Sequence, residues 1–298
     1  MSVFVQRPLL APLADARAWL AALGLGAAPA LVPAAVRAAD LVVSSPLPPE
    51  PTARRAGWAV PAEATLGASP YGPVPLAGIR RVLAGEALPP GTDAVLPPDQ
   101  ASDVGPWVEV TASAAAGEGV VGTAGHLRPG QVLARAGEAP SPLALLLAAA
   151  AEGRLPALLA AMTPAGLSLG PVAAPAIGGL AARPIEETVL GHGQDGSPAI
   201  SLPADPAAML LAWCALLAPP AGQVEARLAR KLPSAVGLSD LVLVRLAEGV
   251  ASPLTAADQP SLAAFTQAAG WVEAPPGSEG WPEGAVVPVT PLPALLRG

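Results

Sequence analysis

The sequence has no asparagine, one lysine (Lys231), one cysteine (Cys214), one tyrosine and two histidines in 298 residues. A single cysteine excludes an internal disulfide. Cys214 lies in the apolar run 207–218, where a buried structural thiol is the plain reading. Aromatic residues make up 3% of the chain, so a core has to be built mainly from Leu, Val and Ala. Positive charge is also scarce: 16 Lys and Arg against 23 Asp and Glu leave a net charge of -7. Such a field opposes a polyphosphate backbone and argues against nucleic acid as a partner. Long apolar runs are missing too. The run 207–218 is too short for a bilayer, which needs about 20 apolar residues. The uncharged stretch 18–36 is interrupted by Gly24, Gly26, Pro29 and Pro33 and follows Asp15, unlike a signal sequence. A cytoplasmic protein with no membrane partner is expected.

What the chain does have is punctuation: 39 prolines and 31 glycines, together about a quarter of its length. That excludes a helical bundle. A hydrophobic content of 52% and a mean hydropathy of +0.50 separate it equally from a disordered chain. Fifteen arginines beside one lysine, with no asparagine, fit a GC-rich genome, so part of the Ala, Gly and Pro excess reflects codon usage. Residues 11–23 have helical spacing and stop at Gly24. Ser141, Pro142 and Gly153 mark the cap, first turn and end of a second helix. Pro206 to Leu217 reads as a third, and Ser261 to Ala269 as a short one ended by Gly270. Short β segments are expected at Gly57–Val60, Asp93–Leu96, Trp107–Thr111, Gln131–Ala134, Asp240–Leu246 and Gly284–Val289, with 163–200 loop-rich.

Five segments in order resemble the molybdopterin molybdotransferase (molybdenum insertase) family, which includes the C-terminal domain of gephyrin. Asp40 to Pro49 followed by Ala56-Gly-Trp-Ala-Val60 is similar to an acidic, proline-rich run ending in Asp-Gly-Tyr-Ala-Val. Arg80 to Gly85 and Leu88 to Val95 are similar to Thr-Gly then Pro-x-Gly-Ala-Asp-Ala-Val. Gly117 to Val120 leads to Leu127–Leu133. Arg183-Pro184, Val189–Gly191 and Gly196 to Pro206 are similar to the lead-in and body of Leu-Pro-Gly-Asn-Pro. Leu241–Leu246, Ala268–Trp271 and Gly284–Val289 are similar to the C-terminal β domain. The resemblance implies an elongated, β-rich α+β multidomain fold. Its parts would be a helical linker domain (1–45 plus 139–168), an inserted β domain (46–138), a truncated α/β central segment (169–232) and a C-terminal β domain (233–298). The family's Thr-Gly-Asp-Glu and Thr-Gly-Gly-Val-Ser turns have no counterpart, so most of the central domain reads as deleted.

The family reaction implied by the resemblance inserts molybdate into adenylylated molybdopterin and releases AMP with the help of a divalent cation such as Mg. That chemistry needs carboxylates for the cation and cationic or N–H groups for the oxyanions. Yet Ala56 stands where the family has Asp, and Ala84 where it has Thr. Val121 to His126 replaces an arginine run followed by Gly-Glu-Asp, and Ala204 and Asp205 replace Gly and Asn. The insertase site reads as dismantled, and no catalytic residue and no metal ligand set is assigned. Candidate ligand-binding residues are Arg54, Arg55, Arg80, Arg81, Gly85, Asp93, Pro203 and Asp205. Paired arginines suit bidentate contact with phosphate or carboxylate, but solvated surface arginines are the preferred reading. Asp93 and Asp205 sit in turn-like sequence that favours a backbone-capping role. His126 and His192 stand alone, and Glu186-Glu187 reads as a solvated charge run.

Three functions fit. The first, preferred, is a degenerate relative that keeps the scaffold and binds a partner protein or a pterin. The second is a working molybdotransferase completed by a homodimer or another subunit. The third is an adaptor that has lost pterin contact. Molybdopterin, molybdate and Mg enter as ligands only if the family activity survives.

Overall fold

Frequent proline and glycine keep the strands short: among the described residues only Ser239–Ala247 is longer than six residues. The structure is a computed structural model that describes residues 10–26, 28–29, 35–218 and 222–296. Two compact units emerge, one formed by Val43–Gln131 and the other by the chain on either side of it.

In the Val43–Gln131 unit, Gly57–Val60 is the central strand between Arg80–Val82 and Ala94–Leu96, all antiparallel. Trp107–Val110 is likewise central between Val74–Leu76 and Ala101–Val104. Period-two alternation gives the first sheet two apolar faces. Trp58, Val60 and Leu96 join Val108 and Val110 in one core. Ala59 and Val95 join Ala53 and Val82 in another. All four residues of the central strand are buried, and a Cβ at Gly57 would collide with the carbonyl oxygen of Leu96.

The other unit holds the helices: α1 (Leu13–Ala22), α2 (Pro142–Ala151), α3 (Leu155–Ala161), α4 (Pro206–Leu216) and α5 (Leu262–Phe265). α1 buries Leu13, Ala16 and Leu20, and Gly24 beyond it takes φ +58°. Ser141 Oγ accepts from Ala144 N at 3.1 Å at the start of α2, with Pro142 in the first turn, and Gly153 takes φ +70° after its end. α5 is only one turn long rather than reaching Ala269, because Gly270 opens a strand that runs too close to Thr290 O for any side chain. The stretch expected to be loop-rich holds a small sheet. Ser168–Leu169, Pro198–Ser201, Val189–His192 and Ala174–Ile177 lie side by side in that order, the first pair parallel and the others antiparallel.

Five strands close on themselves near the C-terminus. Ser239–Ala247 pairs with Val250–Pro253, which pairs with Val224–Leu228, then Val286–Pro291, then Gly270–Ala274, which returns to Ser239–Ala247. Closure leaves no free edge and makes the group a five-stranded barrel. Ala226, Leu228, Val242, Val244, Ala251, Val272, Val287 and Val289 share its core. The barrel thus begins at Val224, ahead of the boundary at 233 expected from the sequence, because Val224–Leu228 supplies the strand between Val250–Pro253 and Val286–Pro291. The two-residue strand Ala182–Arg183 adds in parallel beside Ser239–Asp240. The fold is mixed α+β and β-rich, built from several sheets.

Candidate functional site

Three short backbone segments of the Val43–Gln131 unit meet. Ala53 N donates to Glu86 O at 2.8 Å and Gly85 N donates to Ala53 O at 2.7 Å, which joins 52–56 to 83–87. Arg54 N donates to Gly119 O at 2.8 Å, and Thr52–Ala53 pairs with Val120–Val121, which brings in 117–121. Gly85 adopts φ +77°, a conformation that costs glycine nothing and most side chains strain. Ala56 and Ala84 therefore lie on segments that touch each other. Ala84 is 7% exposed and presents only a methyl group.

The charged groups around this meeting point make contacts within the fold, while Arg55 Nε is buried with no hydrogen-bond partner. Glu86 accepts from Leu83 N at 2.7 Å and from Arg80 Nη1 at 3.2 Å. The Leu83 amide first, then the Arg80 guanidinium, hold its carboxyl below the usual range. Glu118 accepts from Ala115 N at 3.1 Å. Asp93 Oδ1 accepts from Ala62 N at 2.7 Å and so ties its strand to the turn at 62–65. Arg54 Nη2 donates to Val120 O at 3.5 Å, and Arg55 Nη2 to Val95 O at 3.3 Å, with Glu118 Oε1 3.5 Å away. Arg80 and Arg81 are successive residues of one strand, so they point to opposite faces and make no joint clamp. Arg81 lies opposite Trp58 and stacks over its ring at 4.7 Å, whereas Arg80 lies opposite Ala59.

Six of the candidate residues, Arg54, Arg55, Arg80, Arg81, Gly85 and Asp93, thus share one unit. Pro203 and Asp205 belong to the other. There Asp205, 3% exposed, caps α4 by accepting from Ala207 N at 3.0 Å and Ala208 N at 2.9 Å, and Pro203 is buried just before it. His126 is buried and His192 is exposed, its ring edge-on to Trp19 at 6.1 Å. Cys214 is buried in α4, and loss of solvation pushes its thiol up, away from thiolate chemistry. Among the described residues no three His, Cys, Asp or Glu side chains gather as a metal site requires. Ala56 and Ala84 offer no side-chain oxygen, and Glu86, Glu118 and Asp93 are not gathered among the described residues into the cluster of carboxylates that a divalent cation would need.

Two features escaped the sequence reading. Arg183 and Asp240 lie 57 residues apart yet form a two-pronged ion pair with both bonds at 2.6 Å, the Asp240 side chain being 0% exposed. No spacing rule links them; parallel pairing of their strands does. Glu186 is not the solvated charge expected. Burial pushes its carboxyl up to about 7, against the opposing pull of Arg183.

The fold and this site define a mixed α+β, β-rich protein of several sheets in two compact units. Residues 12–151 match the MoeA N-terminal region (domain I and II), and residues 225–292 match the MoeA C-terminal region (domain IV). The chain belongs to the MoeA family. Neither match takes in residues 152–224. Among solved structures it is similar to the molybdopterin biosynthesis MoeA protein from Pyrococcus horikoshii OT3, at 18% identity and a TM-score of 0.42 over 95% of this chain and 100% of that one. A second structure, of a molybdopterin biosynthesis MoeA protein from Pyrococcus horikosii, shares 19% identity with a TM-score of 0.40 over 95% and 99%. A molybdenum cofactor biosynthesis protein from Pyrococcus furiosus shares 19% with a TM-score of 0.33 over 42% and 46%. No curated protein matches the chain.

Proposed function

We propose that this MoeA-like protein of molybdenum cofactor biosynthesis does not insert metal and acts by binding, with a partner protein, a second copy of itself or a pterin as the bound species. The observation that carries the reading is the pairing of segments 52–56 and 83–87 with Ala56 and Ala84 on them. Methyl groups stand where the resemblance calls for a carboxylate and a hydroxyl, and an alanine side chain can neither ligate a cation nor move a proton. In this reading residues 169–232 are what remains of the family's central domain, and the protein works in the cytoplasm, where Cys214 needs no partner thiol.

The test is to add purified protein to adenylylated molybdopterin, molybdate and Mg and to follow AMP. The expected result is no release above background. Release that scales with protein concentration would overturn the reading in favour of a working molybdotransferase.

A further inference from the structure

The barrel carries a cavity of about 490 Å³ whose polar lining is Arg183, Arg230, Lys231, Ser234, Thr255 and Asp258. Lys231 is the chain's only lysine, adjacent to Arg230, in a molecule of net charge -7. Arg230 is anchored through Nη2, which donates to Pro253 O at 2.8 Å and leaves its other N–H groups available. Lys231 is exposed and forms no ion pair among the described residues. Arg183 is already neutralised by Asp240, and Asp258 offsets one more charge. One unit of positive charge is therefore left to Arg230 and Lys231. Ser234, at the cavity's edge, keeps its Oγ below the surface and without a hydrogen-bond partner. Pro233, Pro253 and Ala256, which keep exposed surface, supply apolar lining.

An ammonium and a guanidinium from separate side chains suit a tetrahedral oxyanion better than a planar carboxylate, which prefers one two-pronged partner. The volume falls within the roughly 300–1,000 Å³ of small-molecule sites and exceeds the needs of a free inorganic ion. We propose that this cavity binds a small phosphate ester, its phosphate held by Arg230 and Lys231 and its apolar body against Pro233, Pro253 and Ala256. None of these residues belongs to the segments around Ala56 and Ala84, so the outcome of the AMP experiment leaves this proposal standing or falling on its own.

Calorimetric titration of the full chain with phenyl phosphate at low salt tests it, with inorganic phosphate and phenol as comparison ligands. Phenyl phosphate should bind more tightly than either. Lys231→Gln should weaken it on the order of tenfold or more, the effect of losing one charge-assisted hydrogen bond. Lys231→Arg should retain most of the affinity, and Arg128→Gln, an exposed charge removed in the other unit, should leave it unchanged. Lys231 is exposed, so these variants should melt with the parent protein. Absence of phenyl phosphate binding, equal affinity for inorganic phosphate (a bare anion site only), or a Lys231→Gln protein that binds like the parent would each overturn the proposal.

Discussion

Asp205 shows how a motif position changes meaning once its neighbours are known. The resemblance places it in a ligand-handling loop, yet its carboxylate faces two amides of the first turn of α4 and caps a helix that buries Leu210, Leu211 and Trp213. Asp93, Glu86 and Glu118 follow the same pattern, each satisfying a backbone N–H. Glu186 differs because it is held away from water without a strong cationic partner of its own, Arg183 being committed to Asp240. Its carboxyl rises from the ordinary 4.5 to about 7. Below the lower value both folded and unfolded states are protonated. Between the two values the unfolded chain ionises while the folded one keeps its proton, so stability falls as pH rises and levels off above the higher value. Glu186→Gln removes this term. Relative to the parent, the variant should gain roughly 1–3 kcal/mol between pH 5 and pH 8. Urea denaturation across that range would show it, and parallel stability curves for the two proteins would refute it.

At the scale of elements, what could be read from the sequence is what depends on near neighbours. Ser141, Pro142 and Gly153 bound α2 because a cap, a proline in the first turn and a left-handed glycine act within a few residues. The strand at Gly57–Val60 was equally readable, though its burial on both faces was not, since that depends on Leu96 and Val95 from another strand. The sheet within 163–200 was missed because its strands are two to four residues long and carry Pro175, Pro198 and Gly191, so no alternation builds up. The close approach at Gly57 yields a direct test. Gly57→Ala places a methyl group against the Leu96 carbonyl, and the strands have to part. A loss of about 1–3 kcal/mol is expected from urea denaturation. An unchanged midpoint would show that the sheet accommodates the methyl group freely.

For the whole molecule, the two units have separate cores: Trp58, Leu96 and Val108 in one, and the barrel cluster around Val242 and Val272 in the other. The chain enters and leaves the Val43–Gln131 unit side by side, since Val43 N donates to Gln131 O at 2.9 Å. The flanking Leu41–Val42 pairs with Val132–Ala134. A fragment spanning 43–131 should therefore fold alone, with one cooperative urea transition reported by the fluorescence of Trp58 and Trp107. A fragment that is unfolded in buffer would show that its two sheets need the rest of the chain.

Composition, the ends of α1, α2 and α4, the alternating strands and the order of the family-like segments were set within the sequence, because each depends on residues close in the chain or on residue type alone. The excess of proline and glycine already required short strands and small sheets. Three features were decided in three dimensions: the closure of five strands into a barrel, the pairing of Arg183 with Asp240, and the meeting of the Ala56 and Ala84 segments. Each joins groups far apart in the chain through backbone pairing and burial. Such contacts leave no local pattern, since the same dipeptides would serve equally well in a solvated loop.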